Sequence, residues 1–237
     1  MAVSKEISRA QNVPAGQDAW LWHRALATML VAGLSAGATY ISTGPTLAFY
    51  LLGPFLIAMM LPPLVSMESK FLQRMLIAGA VIDGTALAWL ITALGSTITI
   101  SQWLAGYLVL IAWGFALGGL TAVLRRLRLP SIPAGAIAVA IGLAWLTWPV
   151  WLSAALRSHQ SLAAALIPFH PPLVVNGLLH HLGLWTENSG YPLTVLGQDV
   201  PYHLPGWTAL VVVFTIGGIA LLWTCSWGKS VSVMTAG

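Results

Sequence analysis

Asp83 is the acidic residue whose position in the sequence most needs an explanation. It lies inside an apolar stretch, residues 72–94, that is long enough to cross a bilayer. A carboxylate at that depth costs about 2.5–3.5 kcal/mol on insertion scales, so an acid inside a span is a functional candidate. Asp83 could line a hydrophilic substrate path or relay a proton. The alternative is a structural residue, protonated or hydrogen-bonded to Thr85, Ser35 or Thr39.

Five of the six histidines lie between residues 155 and 205, and imidazole is a common ligand of Zn and Cu. A Zn or Cu site there would use His170, His180, His181 and His203, with Asp199 or Glu187 as an oxygen ligand. The adjacent His180 and His181 would project about 100° apart on a helix, which suits a single ion poorly. The alternative is that these histidines occupy a wet interface and bind no metal.

A short charged loop, Ser66 to Arg74, separates the second and third apolar stretches. It carries Glu68, Lys70 and Arg74. These charges could simply offset one another in a solvated connection. They could also form a docking element for a partner protein on the same side of the membrane.

Two other motifs argue against chemistry in this chain. The single cysteine, Cys225, excludes an internal disulfide and any CxxC motif. Gly228-Lys229-Ser230 resembles the end of a phosphate-binding loop, but Trp223 stands where that loop needs its first glycine. We therefore expect no cofactor in this chain and no catalytic activity of its own.

The composition indicates whether water or lipid surrounds the secondary-structure elements that hold these residues. Only 16 of 237 residues are charged, or 7%, whereas about a quarter are charged in soluble domains. Apolar residues make up 58%, and the mean hydropathy is +0.84. These values exclude a soluble enzyme, a disordered chain and a nucleic-acid binder. The sequence predicts an all-α polytopic membrane helix bundle.

Six apolar stretches are long enough to span a bilayer, which takes about 20 residues. They give four regions: an N-terminal cytoplasmic or interfacial segment, 1–23; transmembrane helices one to five, 24–154; an extracytoplasmic segment with short interfacial or re-entrant helices, 155–205; and helix six with a cytoplasmic tail, 206–237. The predicted spans are residues 24–42, 46–65, 72–94, 102–124, 132–154 and 206–227.

The basic residues predict how these helices are oriented. With the N-terminus inside, nine of the ten Lys and Arg residues fall on the inner side, and only Arg157 falls outside. Such a bias marks the cytoplasmic face. We therefore expect six transmembrane helices with both termini cytoplasmic, in a plasma membrane of bacterial inner-membrane type.

The outer segment is expected to have helical structure of its own. Residues Ser161 to Ile167 read as a short apolar helix that ends at Pro168. Residues Leu173 to Trp185 form a second helical pattern, too short to span, which would lie in the interface or enter the bilayer as a re-entrant piece.

Two pairs of glycines have the GxxxG spacing that lets membrane helices approach closely. Gly33 and Gly37 lie in the first predicted span, and Gly114 and Gly118 lie in the fourth. We interpret both pairs as helix-packing sites.

The layout resembles the six-helix permease of an ABC exporter, in the group that includes the small haem-exporter type used in cytochrome c maturation. Both termini are predicted inside, the stretch Gln17 to Arg24 is interfacial, and a helical hairpin lies outside between helices five and six. The charged loop Glu68 to Arg74 and the turn Leu124-Arg125-Arg126-Leu127-Arg128 lie inside. The resemblance covers nearly the whole chain at the level of architecture.

This resemblance implies an oligomeric half-transporter with membrane lipid around it. A separate subunit would bind ATP, and the cargo would be amphipathic or lipid-linked. Glu68, Lys70 and Arg74 would then lie in the ATPase-coupling region, and Asp83 would be a translocation residue. One alternative is an integral membrane scaffold or accessory subunit of a redox or metal-containing complex. A weaker alternative is a membrane-embedded enzyme that uses His180, His181 and Asp199.

The predicted sidedness can be tested with single cysteines in a Cys225→Ser background. An impermeant maleimide added to intact cells should label Thr97→Cys, in a predicted outer loop, because water reaches it from outside. It should leave Ser69→Cys, in the predicted inner loop, unlabelled until the cells are permeabilised. The reverse labelling pattern would overturn the orientation.

Overall fold

The structure is a computed structural model that describes residues 15–43, 48–68, 71–94, 96–182, 196 and 203–227. Its long elements are all helices, which confirms the predicted all-α class. We number the α-helices α1 to α10: Ala15–Thr43, Gly53–Ala58, Leu61–Met67, Phe71–Ala93, Ile100–Arg126, Ser131–Trp151, Ser153–Ser158, Gln160–Leu166, Pro171–Leu178 and Thr208–Trp227. A π-helical turn, Ala48–Leu52, precedes α2, and 3₁₀ turns occupy Ile167–Phe169 and His180–Leu182.

Five helical segments of the described chain are long and apolar enough to cross a membrane, and they match the first five predicted spans. Helix α1 starts at Ala15, so the stretch predicted to be interfacial, Gln17 to Arg24, is its first part. The sixth predicted span corresponds to α10, Thr208–Trp227, an apolar helix of 20 residues. Two short helical segments, Gln160–Phe169 and Pro171–Leu178, form a bent pair with an angle of 75° at the break between them. Taken together they are a further candidate membrane span or a re-entrant segment.

The second span is broken, which the sequence analysis did not predict. It consists of the π-helical turn, α2 and α3, with a break at Met59 and Met60. Pro62 and Pro63 stand in the first turn of α3. Proline has no N–H to donate to the preceding turn, so a helix cannot continue through this pair and a new one starts there.

Glycines fix which helices lie closest together. A Cβ atom built on Gly84 of α4 would overlap the backbone oxygen of Met29 in α1. One built on Gly218 of α10 would lie 2.5 Å from the backbone oxygen of Phe115 in α5. Only glycine lets backbones approach this closely, so α4 is held against α1 and α5 against α10.

A third close contact joins α3 to α6. A Cβ on Gly135 would lie 2.9 Å from the Cα atom of Pro63. Further along α6, a Cβ on Gly142 would lie 2.8 Å from the terminal methyl carbon of Met59. The broken second span therefore packs directly against α6.

The predicted GxxxG pairs are only half right. Gly33 packs, with its built Cβ 3.2 Å from the Gly84 oxygen, and Gly114 faces the Ile82 side chain at 2.6 Å. A Cβ on Gly37 or Gly118 would meet no atom of the described residues within 4 Å. The open space beside Gly118 is part of a groove between α4 and α5.

Residues 155–182 contain two short helices where they were predicted, and the second of them is buried more deeply than an interfacial helix would be. Helix α8, Gln160–Leu166, matches the first predicted helix. Helix α9 ends at Leu178 and a 3₁₀ turn follows over His180–Leu182, while the end of the predicted helix, 183–185, lies outside the described residues. Its residues 171–176 are buried, so α9 packs into the bundle on several sides and is not amphipathic at a surface.

Substitution at Gly84 should weaken the α1–α4 contact. The added methyl group of Gly84→Ala meets rigid backbone, and such overpacking costs about 1–3 kcal/mol. Gly37→Ala is the matched control, because its methyl group enters open space. Thermal unfolding in detergent should show a midpoint several degrees lower for Gly84→Ala and an unchanged or higher midpoint for Gly37→Ala. Equal midpoints would contradict the assigned contact.

Candidate functional site

A groove runs between α4 and α5, with α3 as its back wall. Its volume is about 250 Å³. Apolar side chains form most of its wall, and its polar groups are Asp83, Tyr107 and, at the other end, Arg74. The apolar lining includes Leu61, Val65, Ala78, Ile82, Ile111 and Phe115. The side chain of Asp83 is exposed, so the groove opens to the surface of the bundle.

The glycines of α5 show how the two helices separate. Near the start of α5, a Cβ on Gly106 would strike the ring of Trp89 in α4. Two turns later, a Cβ on Gly114 would lie 2.6 Å from the tip of Ile82 in α4 and 3.3 Å from the tip of Leu61 in α3, and one turn further a Cβ on Gly118 would meet no described atom within 4 Å. The space beside α5 is therefore filled at Gly106 and Gly114 and open at Gly118, which lines the groove.

Asp83 and Tyr107 bridge the helices where they begin to diverge. The Tyr107 hydroxyl donates a hydrogen bond of 2.6 Å to Oδ1 of Asp83. The ring of Tyr107 stacks on Trp103 at 5.5 Å, and the Trp103 indole donates to the Ala86 backbone oxygen of α4. The phenol is thus held in place from its own helix while its hydroxyl orients the carboxylate.

The partner of Asp83 is Tyr107 and none of the predicted partners Thr85, Ser35 and Thr39. A signal for it existed in the spacing. Asp83 stands ten residues before the end of α4, and Tyr107 stands seven residues after the start of α5. Consecutive antiparallel helices place such positions at nearly the same depth.

A cluster of charges joins three helices at the end of the bundle that we call the basic end, where Arg24, Arg74 and Arg125 lie. Arg24 of α1 forms an ion pair with Glu68 at 2.5 Å, and only 7% of the Glu68 side chain is exposed. The Arg74 Nε atom donates to the Glu68 backbone oxygen at 2.8 Å. Arg24 also stacks over the Trp20 ring at 4.7 Å.

This cluster gives the predicted coupling residues a more specific role. Glu68 and Arg74 are occupied by contacts within the chain, which tie α1 to the start of α4 through the residue that follows α3. Lys70 lies outside the described residues. The exposed groups of the basic end are instead Met67, Arg126, Leu127 and Arg128.

His170 is a buried structural residue. Its Nδ1 atom accepts from the backbone N–H of Leu173 at 3.3 Å, and it thereby caps the N-terminus of α9. Nε2 must then carry the proton, which it donates to the Leu146 oxygen of α6 at 3.0 Å. Both ring nitrogens are thus engaged, and the edge of the imidazole packs against Trp148.

The other members of the predicted metal set are dispersed or undescribed. His180 lies 3.2 Å from the Gly177 oxygen, and His181 lies 3.4 Å from the Gln102 amide. His203 is exposed, and Asp199 is outside the described residues, as is Glu187. Among the side chains that the structure describes, no three His, Cys, Asp or Glu residues form a group that could hold a metal ion.

Comparisons of the chain with protein-family models, with curated proteins and with solved structures find no match. The geometry on its own supports binding. A carboxylate held by a phenol, at one end of an apolar groove that opens sideways, can bind and orient a polar group attached to an apolar chain.

The ion pair at the basic end can be tested by a double-mutant cycle. Glu68→Gln and Arg24→Gln should each lower the free energy of unfolding by about 1–3 kcal/mol, because each leaves a partly buried charge unpaired. The double variant should lose less than the sum, since the partners share one interaction. The measurement is denaturation in mixed micelles. Strictly additive losses would show that the two residues do not interact.

Proposed function

We propose that this protein is a membrane-embedded permease subunit of an ABC-type exporter, which moves an amphipathic or lipid-linked cargo and is driven by a separate ATPase subunit. The α4–α5 groove is the observation that carries this proposal. It opens sideways, its wall is apolar, and it holds a carboxylate about halfway along a spanning helix. An acid at that depth is costly unless it serves a polar path or ligand.

The proposed topology has six spans with both termini cytoplasmic. Helix α10 has 20 residues, which is about 30 Å of helix and matches the hydrocarbon core. The bent pair before it consists of two short helical segments, Gln160–Phe169 and Pro171–Leu178, each too short to span. We therefore assign that pair as a re-entrant segment on the outer side, and the basic end as cytoplasmic.

The proposed docking surface for the ATPase is the exposed part of the basic end. Leu127 follows the last turn of α5 and is 68% exposed, and Met67 is 60% exposed. Arg126 and Arg128 flank Leu127 and are exposed as well. Arg128 has a φ of 66°, so the chain turns sharply here before Pro130. Apolar side chains among arginines at a tight turn suit a protein partner.

Purification of tagged protein from its source membranes in mild detergent tests this proposal, with the co-purifying proteins identified by mass spectrometry. An ATPase subunit should accompany the wild-type chain. Leu127→Glu should reduce its recovery about tenfold, since a charge is buried against the partner. Ile100→Glu is the matched control, because Ile100 begins the same helix at its opposite end and is similarly exposed, at 71%.

Two outcomes would contradict the exporter. One is a wild-type chain that brings down no ATPase. The other is equal recovery of the ATPase with Leu127→Glu and Ile100→Glu. Stable recovery of redox or metal-containing subunits would instead favour the scaffold subunit considered in the sequence analysis.

A further inference from the structure

We infer that the α4–α5 groove recognises an amphiphile whose polar end carries an ammonium group, and that this group pairs with Asp83. The inference rests on the proposed function, because it names the class of molecule that the same groove would take. It depends on the hydrogen bonds of Asp83, the charge along the groove, and the groove's size.

The Asp83 carboxylate has one engaged oxygen and one open one. Oδ1 accepts the hydrogen bond of Tyr107. Oδ2 lies 3.9 Å from the Cβ position of Gly79, on the groove side, and has no donor among the described residues. A carboxylate can accept several hydrogen bonds, so Oδ2 has room for a donor from a ligand.

Charge complementarity selects the donor. A primary ammonium supplies up to three N–H groups and a positive charge, and hydrogen bonds between charged partners are about twice as strong as neutral ones. A hydroxyl group would gain only the weaker bond. A carboxylate or phosphate would be repelled at this end of the groove, because Asp83 is the acidic residue in the wall.

Arg74 fixes where along the groove the ammonium sits. It lines the opposite end, nine residues from Asp83 and thus about 13–14 Å away along the helix. The guanidinium repels an ammonium at that end. Tyr107 acts at the Asp83 end as a positioning residue, because its hydroxyl holds the carboxylate in one orientation.

The size of the groove leaves the tail partly outside. Pockets for drug-sized ligands have about 300–1,000 Å³. At about 250 Å³ this groove takes a polar group and a short length of chain. Since the groove opens sideways, the rest of an alkyl tail can stay in lipid while the ammonium is bound.

The test uses three photoreactive probes with the same 12-carbon chain and a diazirine, ending in a primary amine, an alcohol or a carboxylic acid. Each is added to the protein in phosphatidylcholine vesicles, and labelled peptides of α4 and α5 are quantified by mass spectrometry. Around Asp83 and Tyr107 the amine should label about tenfold more than the alcohol, and the acid should label least there, because Arg74 draws its carboxylate to the opposite end of the groove. Asp83→Asn should reduce amine labelling to the level of the alcohol.

Glycine variants separate recognition of the ammonium from use of the groove. Gly118→Leu places a side chain in the open groove without a backbone clash, so it should reduce labelling by all three probes. Gly37→Leu also points into open space, but it lies on α1 and outside the groove. Its labelling should match that of the wild type.

The outcomes distinguish the two proposals. Equal labelling by amine and alcohol, or amine labelling that survives Asp83→Asn, would overturn the ammonium inference and leave an amphiphile groove. No groove labelling by any probe would overturn both the inference and the groove's part in transport. If a second copy of this chain covers the groove, cross-linked dimers without labelling would report it, and the inference would again fail.

Discussion

The close approach of helix backbones at glycine is the constraint from which the rest of this structure follows. Gly84 holds α4 against α1, and Gly218 holds α5 against α10. Helices α4 and α5 are consecutive in the chain, yet each is drawn toward another partner. They meet near the loop that joins them, where Gly106 lies against Trp89, and further along through Tyr107 and Asp83. The groove is the space that this arrangement leaves between α4 and α5. It stays open because Gly118 of α5 has no side chain to fill it.

The few charged residues of the chain have two different roles. At the basic end, the Glu68 side chain forms an ion pair with Arg24, and the Glu68 backbone oxygen accepts a hydrogen bond from Arg74. These two contacts hold α1, the broken second span and α4 together. At mid-depth, Asp83 has a hydrogen bond from Tyr107 and an open oxygen toward the groove. The Glu68 carboxylate lies against a fixed charge of the same chain, whereas a carboxylate with an open oxygen at membrane depth is suited to bind something else.

Much of the fold could be predicted, because long apolar stretches have few alternatives to helix in a membrane. The breaks were harder. Pro62 and Pro63 signalled the interruption of the second span, but the summed hydropathy across residues 46–65 concealed it. The partners of single side chains were harder still. Asp83 stood out by its cost in lipid, while Tyr107 and the capping role of His170 depend on which helices become neighbours, and glycine contacts between distant segments decide that.

The central claim is that the space between α4 and α5 admits an amphiphile with an ammonium group. A nitroxide at Met75→Cys, which replaces an exposed side chain at the edge of the groove, reports on it directly through collisions with dissolved oxygen. In a Cys225→Ser background and in phosphatidylcholine nanodiscs, dodecylamine should lower the collision rate at position 75, dodecanol should lower it less, and neither should change it at a control Gly37→Cys site. Equal effects of the two amphiphiles, or equal effects at the two positions, would contradict the account.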